Sequence, residues 1–231
     1  MLSMLDPSNA GQSFPDVENA LDEPDGLLAI GGCLSTQRLM NAYRHGIFPW
    51  FNDGDPILWW SPNPRLVLAP SCINLSRSLR KILRREDYNI TFDKAFYATI
   101  KACSLTRANG LGTWITDSMI SAYTRLHDQG IAHSVEAWYG DELAGGLYGV
   151  AIGRVFFGES MFFRRSNASK VAFAKFAQYL ERWNYALIDC QVQTDHLTRF
   201  GAHQIERKDF INLLNVYCAQ SASKQAWSVQ N

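Results

Sequence analysis

The chain has 231 residues and a formal net charge of zero, and 47% of its residues are hydrophobic. This length and composition predict a globular protein with a sizeable core, built as one large domain or as a small domain joined to a medium one. Zero net charge argues against a protein that coats nucleic acid through its overall charge, although it allows a local basic patch.

The N-terminal segment and the cysteines indicate where the protein works. The first residues, MLSMLDPSNAGQSFPD, lack the basic and apolar regions of a signal peptide. No apolar run approaches the roughly 20 residues of a membrane span. The five cysteines include no CxxC motif, as is typical of reduced thiols in a cytoplasmic protein. We therefore expect a cytoplasmic protein without a membrane contact.

Neither the cysteines nor the five histidines show metal-ligand spacing, so we predict no metal site and no cofactor. Structural roles are expected for the scattered histidines His127, His133, His196 and His203.

The first predicted helix is capped by Ser35 and ends at Gly46, with Leu39, Met40 and Tyr43 on its apolar face.

An aromatic segment follows at 46–65, GIFPWFNDGDPILWWSPNPR, with three of the seven tryptophans and four of the eight prolines. Its prolines exclude a helix or a central strand and predict a stiff, irregular segment. So many rings indicate either a surface for a flat or apolar ligand or a seam between domains. We place a domain boundary at its end, between a small N-terminal α+β domain, 1–62, and a larger domain, 63–231.

Strands and helices alternate beyond this boundary. The pattern predicts strands at 65–69 and 88–92, a helix at 75–85, a helix capped by Asp93, and a helix from Thr116 to Gly130.

Three apolar runs at 133–139, 142–152 and 155–162 are separated by Gly-Asp and Gly-Arg turns, which predicts an antiparallel meander. A helix opened by Asn167 or Ser169 and ending near Trp183, a strand at 186–192 and two short helices up to Tyr217 complete the chain. This is the layout of a GNAT-like N-acyltransferase domain, so the predicted fold class is α+β with a mostly antiparallel central sheet.

The helix predicted at 75–85 carries five basic residues and no acidic one. Their spacing places most of them on one face, opposite the leucines. The face is either a patch for phosphate contacts or an ordinary solvated surface. The basic residues are Arg77, Arg80, Lys81, Arg84 and Arg85.

Two polar motifs lie in strand-like runs. Alternation would place Phe157, Glu159 and Met161 on one face, where the carboxylate needs a partner such as a substrate ammonium.

Asp189 and Gln191 would share a face and hydrogen-bond through their side chains, with Ile188 and Cys190 on the other face. They are either a buried polar pair that ties the sheet together or part of a catalytic site.

The motifs GLLAIGG at 26–32 and GIFPWF…GDPILWWSPNPR resemble those of the leucyl/phenylalanyl-tRNA–protein transferases, bacterial enzymes that add Leu or Phe to protein N-termini. The resemblance covers about 14–217. It continues in GTWIT at 112–116, AYTRLH at 122–127, HSVE at 133–136, FGESMF at 157–162, NASK at 167–170 and LIDCQV at 187–192.

The resemblance implies roles for particular residues. It implicates Asp189 and Gln191 in catalysis and Glu159 in substrate binding, and it favours docking of the tRNA acceptor stem on the basic helix through Arg77, Lys81 and Arg84. The implied pocket for the amino-acid side chain and the terminal adenosine comprises Trp50, Trp114, Tyr123, Leu147, Phe156, Phe176 and Ile188.

The implied donors are Leu-tRNA and Phe-tRNA, with Met left open. The implied acceptors are proteins with N-terminal Lys or Arg, which the transfer would mark for degradation. We expect a monomer. An amide is not a base, so Gln191 would orient the attacking amine, while Asp189 would polarise that amide and help to receive the proton.

Three details depart from the family pattern. Cys33 stands where Asp is usual, which would remove a cap from the first helix, and Leu147 replaces a common Met. The loop RANGLGTWIT is slightly longer than usual.

Three rival functions are weighed against this one. An acetyl-CoA-dependent acetyltransferase would need a glycine-containing pyrophosphate loop, whereas the corresponding segment, FRRSNASK, has none. A non-catalytic RNA-binding module would leave Glu159, Asp189 and Gln191 without a role. A cell-wall aminoacyltransferase would usually be longer.

Overall fold

The computed structural model describes residues 2–108 and 113–228, and these residues form two β-sheets and seven α-helices. The smaller sheet has four short strands in the order β1-β2-β4-β3, with β1 and β2 parallel and the other pairs antiparallel. Its strands are β1 (Ser3–Leu5), β2 (Leu27–Gly31), β3 (Phe48–Pro49) and β4 (Leu58–Trp60).

Helix α1 (Thr36–Arg44) connects β2 to β3 and confirms the first predicted helix. The Ser35 hydroxyl caps it by accepting a hydrogen bond from the backbone N–H of Arg38 at 3.2 Å. Cys33 therefore does not remove the cap, because Ser35 supplies it.

The aromatic segment is not wholly irregular, contrary to the prediction. Strand β3 lies at the edge of the small sheet, where the missing N–H of Pro49 is tolerated. Strand β4 lies between Pro56 and Pro62 and pairs with β2 and β3 because its own three residues include no proline.

The larger sheet has seven strands in the order β11-β5-β10-β9-β8-β7-β6, and only β9 and β10 run parallel. The predicted α+β class with a mostly antiparallel central sheet is confirmed. The strands are β5 (Arg65–Leu68), β6 (Asn89–Phe92), β7 (Ala132–Tyr139), β8 (Glu142–Ile152), β9 (Val155–Phe163), β10 (Leu187–Gln191) and β11 (His203–Ile205).

Helices cover both faces of the larger sheet. Helices α3 and α4 pack on one face, in a core continuous with the small sheet, and α5 packs on the other face beside α2. The helices are α2 (Arg77–Leu83), α3 (Phe96–Ala108), α4 (Asp117–Asp128), α5 (Ala168–Arg182), α6 (Asp195–Arg199) and α7 (Arg207–Tyr217).

The start of α3 differs from the prediction. Asp93 does not cap the helix; its carboxylate accepts from the backbone N–H of Ser134 at 2.8 Å and contacts His133 Nδ1 at 2.7 Å. The backbone N–H of Ala95, just before the helix, instead donates to Glu136 at 3.3 Å. Helix α3 begins at Phe96, three residues after the predicted cap.

Two further features complete the fold. Strand β11 was not predicted, since three residues are too few to show a period. The domain boundary between residues 62 and 63 stays a prediction.

All five cysteines are free thiols, and no helix in the described ranges is long and apolar enough to cross a membrane.

Candidate active site

A cavity of about 440 Å³ opens where β9 and β10 separate. The two strands are paired only over Val155 to Phe157 and Leu187 to Asp189. Beyond these residues both strands line the cavity, which the aromatic segment of the small sheet completes with Phe48, Pro49 and Trp50.

Both strands carry a β-bulge at this point. Glu159 is skipped on β9, because Tyr148 pairs with Ser160 and Gly149 with Gly158. Cys190 is skipped on β10, between Asp189 and Gln191. Bulges re-aim side chains and are frequent beside active sites.

The bulges overturn the alternation predicted for the two motifs. Phe157 and Glu159 both contact Tyr43, whereas Met161 packs with the cluster on the α5 face, so these three side chains do not share a face. On β10, all four residues from Ile188 to Gln191 line the cavity instead of alternating.

Glu159 is 7% exposed and accepts three hydrogen bonds from side chains on three different elements. The Tyr43 hydroxyl donates to Oε1 at 2.8 Å, and the Tyr123 hydroxyl donates to Oε2 at 3.0 Å. Gln191 Nε2 donates to Oε1 at 2.8 Å. The two tyrosine hydroxyls also contact each other, but each has only one proton, so this contact is not an additional hydrogen bond while both donate to Glu159. The carboxyl group is therefore buried, ordered and well supplied with donors.

Burial raises the pKa of Glu159 to about 7, and the nearby charge of Asp189 adds to this rise. The hydrogen bonds from Tyr43, Tyr123 and Gln191 oppose the rise but do not cancel it. Burial and the proximity of Glu159 raise the pKa of both tyrosines well above the ordinary value, so they remain neutral donors. Glu159 can thus gain or lose a proton near neutral pH.

Asp189 is fully buried and forms a bidentate ion pair with Arg65. Arg65 Nε donates to Oδ1 at 2.8 Å, and Nη2 donates to Oδ2 at 2.7 Å. Oδ1 also accepts from the backbone N–H of Gln191 at 2.9 Å. Both carboxylate oxygens are therefore occupied within the protein.

Gln191 does not hydrogen-bond to Asp189 through its side chain, contrary to the prediction. Its backbone adopts the left-handed conformation, with φ at 59°, which turns its side chain towards Glu159. Asp189 stabilises this uncommon conformation through the backbone N–H. Asp189 and Gln191 are in contact as their spacing predicts, but the hydrogen bond is donated by the main chain of Gln191 and not by its side chain.

Sequence reasoning missed Arg65 and Tyr43 as site residues. Arg65 was assigned only to a strand, and its partner lies 124 positions along the chain. Tyr43 was assigned to the apolar face of a helix. A buried tyrosine hydroxyl needs a hydrogen-bond partner, and this requirement could have identified Tyr43 as a site residue.

Five of the seven residues implied for the aminoacyl and adenosine pocket line the cavity; they are Trp50, Trp114, Leu147, Phe156 and Ile188. Tyr123 does not line it, because its hydroxyl is turned to Glu159. Phe176 lies behind Phe156, with ring centroids 4.6 Å apart, and Phe173 of the same helix faces the cavity instead.

The basic residues Arg77, Lys81 and Arg84 are exposed on or next to α2. The loop before this helix is tied to the end of α6, because Asn74 N–H donates to Phe200 O at 2.8 Å. Since Leu197 of α6 lines the cavity, α6 connects the cavity to the basic helix.

The scattered histidines, possible metal-ligand clusters and the lengthened loop are the remaining features singled out in the sequence. His127 and His133 hydrogen-bond to Ala132 O and Asp93 respectively, as structural histidines do, whereas His196 lines the cavity. Within the described ranges, no group of three or more His, Cys, Asp or Glu is placed to hold a metal ion. The lengthened loop lies partly outside the described residues.

The fold is of the α+β class, and its candidate site places a buried carboxyl–amide pair beside an apolar cavity. The sequence matches two family models, leucyl/phenylalanyl-tRNA protein transferase over residues 67–215 and the N-terminal domain of the same family over residues 32–63. The chain belongs to the leucyl/phenylalanyl-tRNA–protein transferase family and is a transferase.

Two relatives bearing this family name show how far the similarity extends. One from Cellvibrio japonicus is 58% identical over 201 residues, 87% of this chain and 86% of the relative. One from Methylococcus capsulatus is 53% identical over 227 residues, 98% of this chain and 97% of the relative.

Similarity to solved structures is much weaker. A GCN5-related N-acetyltransferase from Kribbella flavida aligns with a TM-score of 0.35 and 13% identity, covering 70% of this chain and 58% of that one. L-PGS from Bacillus licheniformis aligns with a TM-score of 0.41 and 10% identity, covering 67% of this chain and 51% of that one. Neither likeness carries a functional inference.

The raised pKa of Glu159 predicts a specific pH dependence of stability. The pKa of Glu159 is about 7 in the folded state and 4.5 in the unfolded state, so the folded state binds this proton more tightly. Relative to Glu159→Gln, the wild type should therefore lose roughly 3 kcal/mol of unfolding free energy as pH rises from about 4.5 to 7, and none above that range. Urea unfolding of both proteins at several pH values measures this; a constant difference would contradict the raised pKa.

Proposed function

We propose that the chain transfers Leu or Phe from aminoacyl-tRNA to the α-amino group of an acceptor protein. The observation that carries the proposal is the hydrogen-bonded pair of Glu159 and Gln191 at the side of an apolar cavity. The cavity suits an apolar side chain, and the pair suits a nucleophilic amine. The name shared by the relatives supports the same donor and acceptor classes.

The reaction is the aminolysis of an ester. The amine nitrogen forms a bond to the carbonyl carbon, and the ester bond to the ribose oxygen breaks. The proton lost by nitrogen balances the proton gained by the ribose oxygen. The site therefore has to transfer a proton from one atom to the other, with no net gain or loss.

The nucleophile needs no strong base. An α-amino group has a pKa of about 7.7–8.0, so its neutral form costs only about 1 kcal/mol at pH 7, against about 4–5 kcal/mol for a lysine side chain. Positioning of the amine and relief of developing charge can therefore supply most of the catalysis.

Gln191 is proposed to orient the amine. Its Nε2 donates to Glu159, so its carbonyl Oε1 remains the acceptor of the planar amide for an incoming N–H. Glu159 strengthens that acceptor by polarising the amide. It can also accept a proton near neutral pH, because its pKa is about 7.

Asp189 is proposed to act through Gln191. Its oxygens are engaged by Arg65 and by the Gln191 backbone, so we assign it to holding the bulge rather than to direct receipt of the proton. This modifies the role expected from the sequence, in which Asp189 polarises the side-chain amide.

The cavity is proposed to receive the aminoacyl end of the donor. Leu147, Phe156 and Ile188 provide apolar walls for the side chain, and the half-exposed Trp50 with Trp114 offers surfaces on which the terminal adenine can stack. Such a pocket discriminates weakly, by about 1–3 kcal/mol per methylene, so accepting both Leu and Phe is reasonable.

The basic residues near α2 are proposed to bind the acceptor stem of the tRNA. Arg77, Lys81 and Arg84 are exposed, and α6 connects their helix to the cavity. A local patch of this kind lets a protein without net charge bind a polyanion through phosphate contacts.

The acceptor is proposed to begin with Lys or Arg. The charge of Asp189 is compensated by Arg65, so Glu159 is the carboxyl of the site that can pair with a cation of the acceptor. Transfer would mark the acceptor for degradation. We further propose that the enzyme acts as a monomer in the cytoplasm.

The test is transfer of labelled Leu or Phe from charged tRNA to a protein beginning with Arg, run beside a reaction supplied only with labelled acetyl-CoA. Label transferred from tRNA alone is expected. Acetyl transfer would instead support an acetyltransferase, and tRNA binding without transfer would support a binding module.

Removal of the Gln191 amide should affect turnover far more than binding. For Gln191→Ala we expect a single-turnover rate lower by about 100-fold or more, as for the loss of other oriented polar groups, with donor affinity nearly unchanged. Asp189→Asn should show the same division. Gln193→Ala changes an exposed amide two positions away and serves as the control. Wild-type rates in the first two variants would exclude these roles.

Loss of the basic patch should change the salt dependence of tRNA binding. In a triple variant of Arg77, Lys81 and Arg84 to Ala, we expect a slope of log affinity against log salt that is shallower by about 2–3 units, because roughly 0.7–0.9 counterion is released per phosphate contact. Lys208→Ala with Lys224→Ala removes exposed charge elsewhere and should leave the slope unchanged. An unaltered slope in the triple variant would place the tRNA on another surface.

A further inference from the structure

The C-terminal strap, residues 219–228, packs behind the cavity. It follows α7 and lies beyond the region matched by the family model, which ends at residue 215. Ser223 N–H donates to Trp183 O at 2.8 Å, and Ala226 N–H donates to Ser223 O at 3.0 Å. These bonds form a turn that presents Trp227 to the body of the protein.

Trp227 is fixed by both its ring and its indole N–H. The ring stacks on the imidazole of His133, with centroids 3.9 Å apart and planes 6° apart. Nε1 donates to the Tyr185 hydroxyl at 2.8 Å. The backbone of Trp227 has φ at 63°, which is uncommon for so large a residue, so the side-chain contacts hold the strap in place.

The same indole backs the wall of the cavity. Phe156 lines the cavity, and its ring centroid lies 4.6 Å from that of Phe176 and 5.8 Å from that of Trp227. The Phe176 and Trp227 centroids are 5.7 Å apart. Phe156 therefore has the cavity on one side and a layer of two rings behind it.

We propose that Trp227 is a specificity-determining positioning residue, which sets how far Phe156 can withdraw and so how deep a side chain the donor can insert. This inference rests on the proposed function, because it takes the cavity as the site of the donor's amino-acid side chain.

The physical reason is close packing. Protein interiors contain few voids, so neighbours move when a large ring packed against them is removed, even one that is partly buried as Trp227 is. Without the indole, the two phenylalanine rings gain room to move back, and the pocket becomes deeper. A deeper pocket favours Phe over Leu, because pocket size decides between apolar side chains.

The experiment is a competition between Leu-tRNA and Phe-tRNA, carrying different labels, for one acceptor in one reaction. The ratio of products reports the ratio of kcat/KM values and does not depend on how much enzyme is folded. We expect Trp227→Ala to raise the Phe-to-Leu ratio by about threefold or more, an effect smaller than the roughly 10-fold minimum of a direct methylene-sized change because Trp227 acts through Phe156. Trp227→Phe should give a smaller rise, and it decides the question if Trp227→Ala is insoluble.

Lys224→Ala, an exposed change on the same strap, is the matched control and should keep the wild-type ratio. A ratio unchanged in both Trp227 variants, with transfer merely slower, would mean that the strap only stabilises the fold and would overturn the proposal. A lower ratio would overturn it as well. If the wild type transferred neither residue, the proposed function itself would fail first, which the competition shows directly.

Discussion

The buried ion pair between Arg65 and Asp189 is the interaction on which the site depends. It joins the start of β5 to the middle of β10, and Arg65 Nη1 also donates to Gly46 O at 3.1 Å, which attaches the aromatic segment. Removing both charges from water is expensive, so such a pair needs good geometry and full hydrogen bonding to be tolerated. Here the bidentate contact and the bond from Gln191 N–H meet that requirement. The pair therefore defines the relative position of three chain segments around one cavity.

The cavity exists because two neighbouring strands separate. Parallel pairing of β9 and β10 ends after three residues, and each strand then carries a bulge. The bulge on β9 also requires a glycine opposite it, since a Cβ at Gly149 would lie 2.1 Å from Phe157 O. Separation leaves Glu159 without a strand partner, and α1 and α4 supply the tyrosine hydroxyls that its carboxylate needs. The opening and its hydrogen-bonding groups are thus parts of the same local irregularity.

Much of the fold could be predicted from local signals, and the site only in part. The meander of β7 to β9 and helix α4 follow from turn residues and apolar periodicity, which are properties of short windows. Arg65 could not be paired with Asp189 in this way, because their contact spans 124 positions. The bulges also lay outside prediction, since alternation assumes an uninterrupted strand. This is why Glu159 and Gln191 were identified but their contact was not, and why Phe176 was placed in the pocket although it packs behind Phe156.

The two carboxyl groups of the site, Asp189 and Glu159, lie in different environments. Asp189 has a guanidinium bound to both carboxylate oxygens. Glu159 has only neutral donors, and burial beside Asp189 raises its pKa to about 7. Pairs of titratable groups separated in this way commonly divide the work of an active site. In the proposed reaction, an α-amino group with an ordinary pKa of about 7.7–8.0 would need no base stronger than Glu159 to lose its proton, and the role proposed for Gln191 is to orient it.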